Sequence, residues 1–121
     1  MPYRITTRHS FSAAHQLRLY DGSLEPIHGH NWRIAVTVRA EQLDAIGVVM
    51  DFHELERVVN AILAPFHNRL LNDVAPFDGE LNPSAENVAY HIARSLNLPQ
   101  GVQLTSVEAW ETDNCSAIYE P

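Results

Sequence analysis

The sequence predicts an α+β domain in which four strands form an antiparallel sheet and two helices lie on one of its faces, in the order β-β-α-α-β-β. Three observations predict it. Apolar residues alternate with period two near both ends of the chain, two central stretches carry apolar residues at helical spacing, and short turn-forming segments keep the strands in neighbouring pairs. With 121 residues and 45% apolar side chains, there is material for one modest core, so residues 1–121 are expected to form a single domain.

Tyr3, Ile5, Thr7, His9 and Phe11 alternate with more polar neighbours and define the first strand. The stretch from Leu17 to Pro26 contains Asp21-Gly22-Ser23 and Pro26, turn formers that make it a loop. Alternation resumes from His30 to Ala40, with Trp32, Ile34, Val36 and Val38 on one side and Arg33, Thr37 and Arg39 on the other. Asp51 and Glu54 have capping-box spacing, and Leu55, Val58, Val59, Ile62 and Leu63 then mark a helix over Phe52–Ala64, stopped by Pro65. His67–Leu81, with Asn72-Asp73, Pro76 and Asp78-Gly79, is a long connection with room for one short helical turn. Asn82-Pro83 predicts a cap with proline at the first helical position, followed by a stripe of Ala85, Val88, Ala89, Ile92 and Leu96 ending near Asn97. Thr105, Val107, Ala109 and Glu111 share one face of a third strand, and Ser116–Tyr119 forms a fourth after a turn at Asp113-Asn114.

Composition excludes several function classes. Fifteen acidic against eight basic residues give a net charge of -7, which opposes nucleic-acid binding. The start, Met1 to Ile5, has no apolar signal-like core, and no apolar run approaches the roughly 18 residues of a membrane span. A soluble, cytoplasmic protein is the expectation, and the single Cys115 fits a reducing compartment.

Of the seven histidines, four precede residue 31. In His28-Gly29-His30 the two imidazoles lie on the same side of an extended chain, and the glycine permits unusual backbone there. Such a pair alone is common without a metal. If the first two strands pair as a meander, His15 approaches it, and three imidazoles with an open fourth position are the donor set of catalytic zinc.

Phe11-Ser12-Ala13-Ala14-His15, Glu25-x-x-His28-Gly29-His30, Asp51-Phe52, Leu71-Asn72-Asp73, Asn82-Pro83-Ser84-x-Glu86-Asn87 and Glu111-Thr112-Asp113-Asn114 follow one another along nearly the whole chain. Together they resemble the successive motifs of the 6-pyruvoyl-tetrahydropterin synthase and 6-carboxytetrahydropterin synthase family. The resemblance implies a tunnelling fold in which subunits trimerise into a barrel and two trimers stack into a hexamer, with active sites at subunit interfaces. It also implies 7,8-dihydroneopterin triphosphate as substrate, Zn2+ on His15, His28 and His30, and Glu111 as the anchor of the pterin ring, supported by Thr112. A carboxylate suits that role because it accepts paired hydrogen bonds from a ring N–H and an exocyclic amine.

Two departures bear on catalysis. Family members carry a proton-moving cysteine four residues before the first histidine of His-x-His, and that position here is Leu24. The neighbouring Glu25 resembles a branch with glutamate in place of cysteine, associated with cleavage to 6-hydroxymethyl-7,8-dihydropterin; read without the family it is a loop glutamate in solvent. The usual Asp-His dyad is also altered, since the chain reads Phe66-His67-Asn68. Simple alignment puts His67 at the aspartate position, whereas a one-residue insertion restores it as the catalytic histidine and proton donor.

Cys115 is expected as a small buried side chain, His9 as a satisfied strand residue, and His53 and His91 as helix residues without ligand partners. Trp32 and Trp110 are expected in packing. Arg4, Arg8, Arg33 and Arg39 are candidates for phosphate contacts. The competing functional classes are a zinc- and pterin-binding oligomer without catalysis, and a purely structural oligomer. Among products, 6-hydroxymethyl-7,8-dihydropterin and 6-carboxytetrahydropterin lead over pyruvoyl-tetrahydropterin.

Overall fold

The two long alternating segments at the start of the chain form β1 (Tyr3–His15) and β2 (His28–Ala40), paired antiparallel along their full length with His15 opposite His28. The computed structural model describes residues 2–121. Along the chain follow α1 (Phe52–Leu63), β3 (Arg69–Leu70), α2 (Ala85–Ser95), β4 (Gln103–Thr112) and β5 (Cys115–Tyr119). The sheet has the order β3-β1-β2-β4-β5. It therefore has five strands rather than the four expected, and the element order is β-β-α-β-α-β-β.

The additional strand is two residues long and pairs parallel to β1, Ala13 opposite Arg69, so the sheet is mixed. Two residues carry no readable periodicity. The pairing arises because the chain leaves α1, turns through Ala64–Phe66 and runs back along the free edge of β1, where the Asn68 N–H donates to the Ser12 carbonyl (2.6 Å).

One sheet face is apolar and covered. Phe11, Ala13, Trp32, Ile34, Val36, Val38, Val107 and Ala109 join Leu55, Val59 and Leu63 of α1 and Val88, Ala89 and Ile92 of α2 in one core. Their spacing of two on the strands and three or four on the helices puts every one of them on the shared interface. The opposite face carries Arg4, Arg8, Arg33 and Arg39 and is largely exposed.

Caps show where local signals compete. Asp51 accepts the His53 N–H (2.9 Å) as the N-cap of α1, but Glu54 does not complete a capping box, since its carboxylate binds Arg57. The N-cap of α2 is Ser84, which accepts the Asn87 N–H (3.1 Å), and not Asn82, so Pro83 precedes the helix instead of opening it. Asn82 is committed elsewhere, to the backbone of Arg18. Cys115 is exposed rather than buried, because it opens the edge strand β5 next to a bulge in the β4–β5 pairing.

Candidate metal centre

β1 and β2 build the centre by register. The odd positions of β1 and the even positions of β2 share the covered face, so the pairings Ala13 with His30 and His15 with His28 put all three imidazoles at one end of that face. One donor nitrogen from each of the three lies within 4.8 Å of the other two. Trp32, fully buried, forms their floor: its ring meets His15 at 5.1 Å and His30 at 5.7 Å, nearly perpendicular to both. Its indole N–H donates to the Ala13 carbonyl (3.3 Å).

The hydrogen bonds behind the rings fix which nitrogens face inward. His15 Nδ1 lies 2.7 Å from the Pro83 carbonyl and His28 Nδ1 lies 2.9 Å from the Pro26 carbonyl. A carbonyl only accepts, so each Nδ1 carries the proton, and in the neutral rings each Nε2 presents a lone pair. Those two Nε2 atoms are 3.0 Å apart. Two acceptors at that distance repel unless a cation lies beside them, and a tetrahedral ion with 2.0–2.1 Å bonds places its donors about 3.3 Å apart.

His30 completes the set. Its Nε2 is buried without a hydrogen-bond partner, and burial holds its pKa below the ordinary histidine value, assisted by His15 and His28 and opposed by Glu111. A neutral, unpartnered imidazole nitrogen is a ready ligand. The three residues can therefore hold a metal ion.

Two carboxylates flank the triad. Glu111, near the end of β4, lies 3.7 Å from His15 Nε2 and 4.0 Å from His30 Nε2. It also borders a cavity of about 170 Å3 with Ala85, Glu86 and Cys115. Glu25 lies on the other side, 3.9 Å from His28 Nε2, with one oxygen accepting the Leu17 N–H (2.9 Å). Leu24 is exposed and pairs with Arg18 in an isolated bridge.

The remaining sequence candidates lie apart. His67 accepts the Ser12 N–H at Nδ1 (3.2 Å), three residues up β1 from His15, or about 10 Å along the strand. Thr112 is exposed, its hydroxyl accepting the Asn114 N–H (3.3 Å). Arg4, Arg8, Arg33 and Arg39 lie on the uncovered face; Arg33 pairs with Asp113 (3.0 Å) and stacks on Trp110. Arg69, not singled out from sequence, lines a cavity of about 520 Å3 that adjoins His30. His9 is satisfied by Thr7 and Asn60, as a strand residue should be.

Fold and site together define a small α+β protein with a three-histidine cluster able to hold a metal ion. The chain belongs to the 6-pyruvoyl tetrahydropterin synthase family, whose model matches residues 4–121, and it is an enzyme of that kind. It is 35% identical over 113 residues to a dihydroneopterin monophosphate aldolase of Pyrococcus furiosus, covering 92% of this chain and 91% of the relative. It is 33% identical over 132 residues to the human 6-pyruvoyl tetrahydrobiopterin synthase, covering 97% and 90%. The Caenorhabditis elegans 6-pyruvoyl tetrahydropterin synthase has the same fold, with a TM-score of 0.85 at 26% identity over 100% of this chain and 96% of that one.

Proposed function

We propose that the chain is a zinc-dependent lyase that cleaves the side chain of a phosphorylated 7,8-dihydroneopterin, leaving 6-hydroxymethyl-7,8-dihydropterin. The observation that carries this reading is Glu25, whose carboxylate stands 3.9 Å from His28 at the rim of the triad, beside the Leu24 that occupies the position of the family's cysteine. The aldolase among the relatives acts, by its name, on the monophosphate, so monophosphate and triphosphate are both substrates to test.

In this reaction Glu25 takes the proton of the second side-chain hydroxyl, and the bond between the first and second side-chain carbons breaks. The electron pair passes to the first carbon, conjugated with the ring imine, where a proton replaces the lost fragment; the second carbon leaves as a phosphorylated two-carbon aldehyde. Zinc, when bound, polarises the side-chain hydroxyls and lowers the cost of removing that proton. His15, His28 and His30 hold it, Glu111 orients the ring by accepting its N–H groups, and His67 supplies a proton from a second subunit. That last role fits a hexamer built as a dimer of trimers, because within one protomer His67 lies away from the triad and His28 is 42% exposed.

The test is to incubate zinc-loaded protein and Glu25→Ala with 7,8-dihydroneopterin monophosphate and triphosphate, and to identify products by mass spectrometry. Wild type should release 6-hydroxymethyl-7,8-dihydropterin, with the variant at least about 100-fold slower. Formation of 6-carboxytetrahydropterin would place the chain in the other branch. Pterin binding without turnover would leave a binding protein.

A further inference from the structure

We propose that Asn72 and Asn82 are positioning residues that aim Glu25 by acting as side-chain strand partners for Gln16 and Arg18, just past His15. This rests on the reading of Glu25 as the base. Past the end of β1 the edge that faced β3 has no neighbouring strand to satisfy the backbone of Gln16 and Arg18, and buried or half-buried N–H and C=O groups require partners. Two asparagine side chains supply them.

The Asn72 carboxamide accepts the Gln16 N–H (3.0 Å) and donates to the Gln16 carbonyl (2.8 Å). The Asn82 carboxamide does the same to Arg18, accepting its N–H (2.9 Å) and donating to its carbonyl (3.0 Å). Each amide thus reproduces the two-bond exchange of a hydrogen-bonded residue pair in an antiparallel ladder. Leu17, between them, turns its groups to the opposite edge, where Glu25 occupies them. The Leu17 N–H donates to Glu25 Oε1 (2.9 Å), and the Glu25 N–H donates to the Leu17 carbonyl (3.1 Å). Gln16 adds a bond from its side-chain amide to the Glu25 carbonyl (2.9 Å).

The two edges make a relay. Asn72 and Asn82 clamp residues 16 and 18 from one side, and the orientation this gives Leu17 holds the Glu25 carboxylate beside His28 on the other. Both asparagines are anchored in turn: Asn82 precedes the N-cap of α2 and its carbonyl accepts from Asn87 (2.9 Å), while Asn72 sits in the short turn Leu71–Asp73. Arg18 fastens the same two segments, donating to the Phe77 (2.6 Å) and Leu81 (3.2 Å) carbonyls. Only a carboxamide offers an acceptor and a donor at the required spacing.

The experiment is a double-mutant cycle on zinc-loaded protein, comparing wild type, Asn72→Ala, Glu25→Ala and the double variant, with hydrogen exchange read at the Leu17 amide. Asn72→Ala should lower kcat about 10- to 100-fold, change KM by less than about threefold, leave zinc stoichiometry unchanged and accelerate Leu17 exchange. In the Glu25→Ala background it should cost nothing further in kcat. Multiplying costs, or unchanged Leu17 exchange, would overturn the proposal. Full activity of Asn72→Ala beside an impaired Glu25→Ala would sink the positioning role while leaving the base; full activity of Glu25→Ala would sink both. If the alanine variant does not fold, Asn72→Asp and Asn82→Asp, which keep the acceptor and lose the donor, carry the same cycle.

Discussion

The candidate metal ligands and the proposed proton-moving groups of this enzyme are held by different kinds of structure. His15, His28 and His30 lie on two long strands whose mutual register fixes them, with Trp32 beneath and two carbonyls behind. Glu25 and His67 lie on connections, each held by a few hydrogen bonds to side chains or to the edge of β1. A sheet register is enforced by every pair along it, since a slip of one residue would turn the apolar set outward. A loop side chain is enforced only locally. The ligand set should therefore tolerate changes around it that the proton-moving set does not.

The largest effect expected from that contrast is on the ligands themselves. His15→Ala removes the most buried of the three imidazoles and should weaken zinc by more than about 1,000-fold, beyond the 10- to 100-fold typical of losing a hydrogen-bond partner of a ligand. Chelator competition measures it, and retained tight zinc would break the assignment. Glu111→Gln comes next. Loss of the charge-assisted pair should raise KM for the pterin about 10- to 100-fold, the equivalent of roughly 1.5–3 kcal/mol, with zinc content unchanged. A loss of zinc instead would make Glu111, 3.7 Å from His15 Nε2, a ligand rather than an anchor.

The same contrast explains what could be read from the sequence. Period-two alternation and the two helical stripes give β1, β2, β4, β5 and both helices, because each is long enough to express its period. Pairing the first two strands as a meander then brings His15 to His28-Gly29-His30. The two-residue β3, the Ser84 cap and the clamps on residues 16 and 18 were not legible. Asn82 and Ser84 are both good caps, and only the tertiary demand of the Arg18 backbone assigns Asn82 elsewhere. Cys115 misled because free cysteines are usually buried, while here it begins an edge strand. Leu71-Asn72-Asp73 and Asn82-Pro83-Ser84 stood out as motifs, yet their spacing could not say which backbone they hold.

The smallest expected effect sharpens the comparison by taking a half-buried imidazole outside the candidate metal centre. His91 of α2 lies 5.7 Å from the rings of both Phe66 and Phe77. Burial, and then the Arg94 cation, lower its pKa from 6.5, with Glu80 opposing. The folded chain therefore binds fewer protons here than the unfolded chain, and stability rises with pH wherever that holds. The contribution is complete above about pH 6.5 and is lost as pH falls below it toward the lowered value. For one group the slope cannot exceed about 1.4 kcal/mol per pH unit. Urea unfolding of wild type and His91→Phe at matched zinc saturation, between pH 7.5 and 5.5, should show the wild type losing more stability on acidification than the variant. Parallel losses would mean that His91 titrates alike in both states. Burial would then act on the His91 imidazole differently from that of His30, whose pKa it lowers.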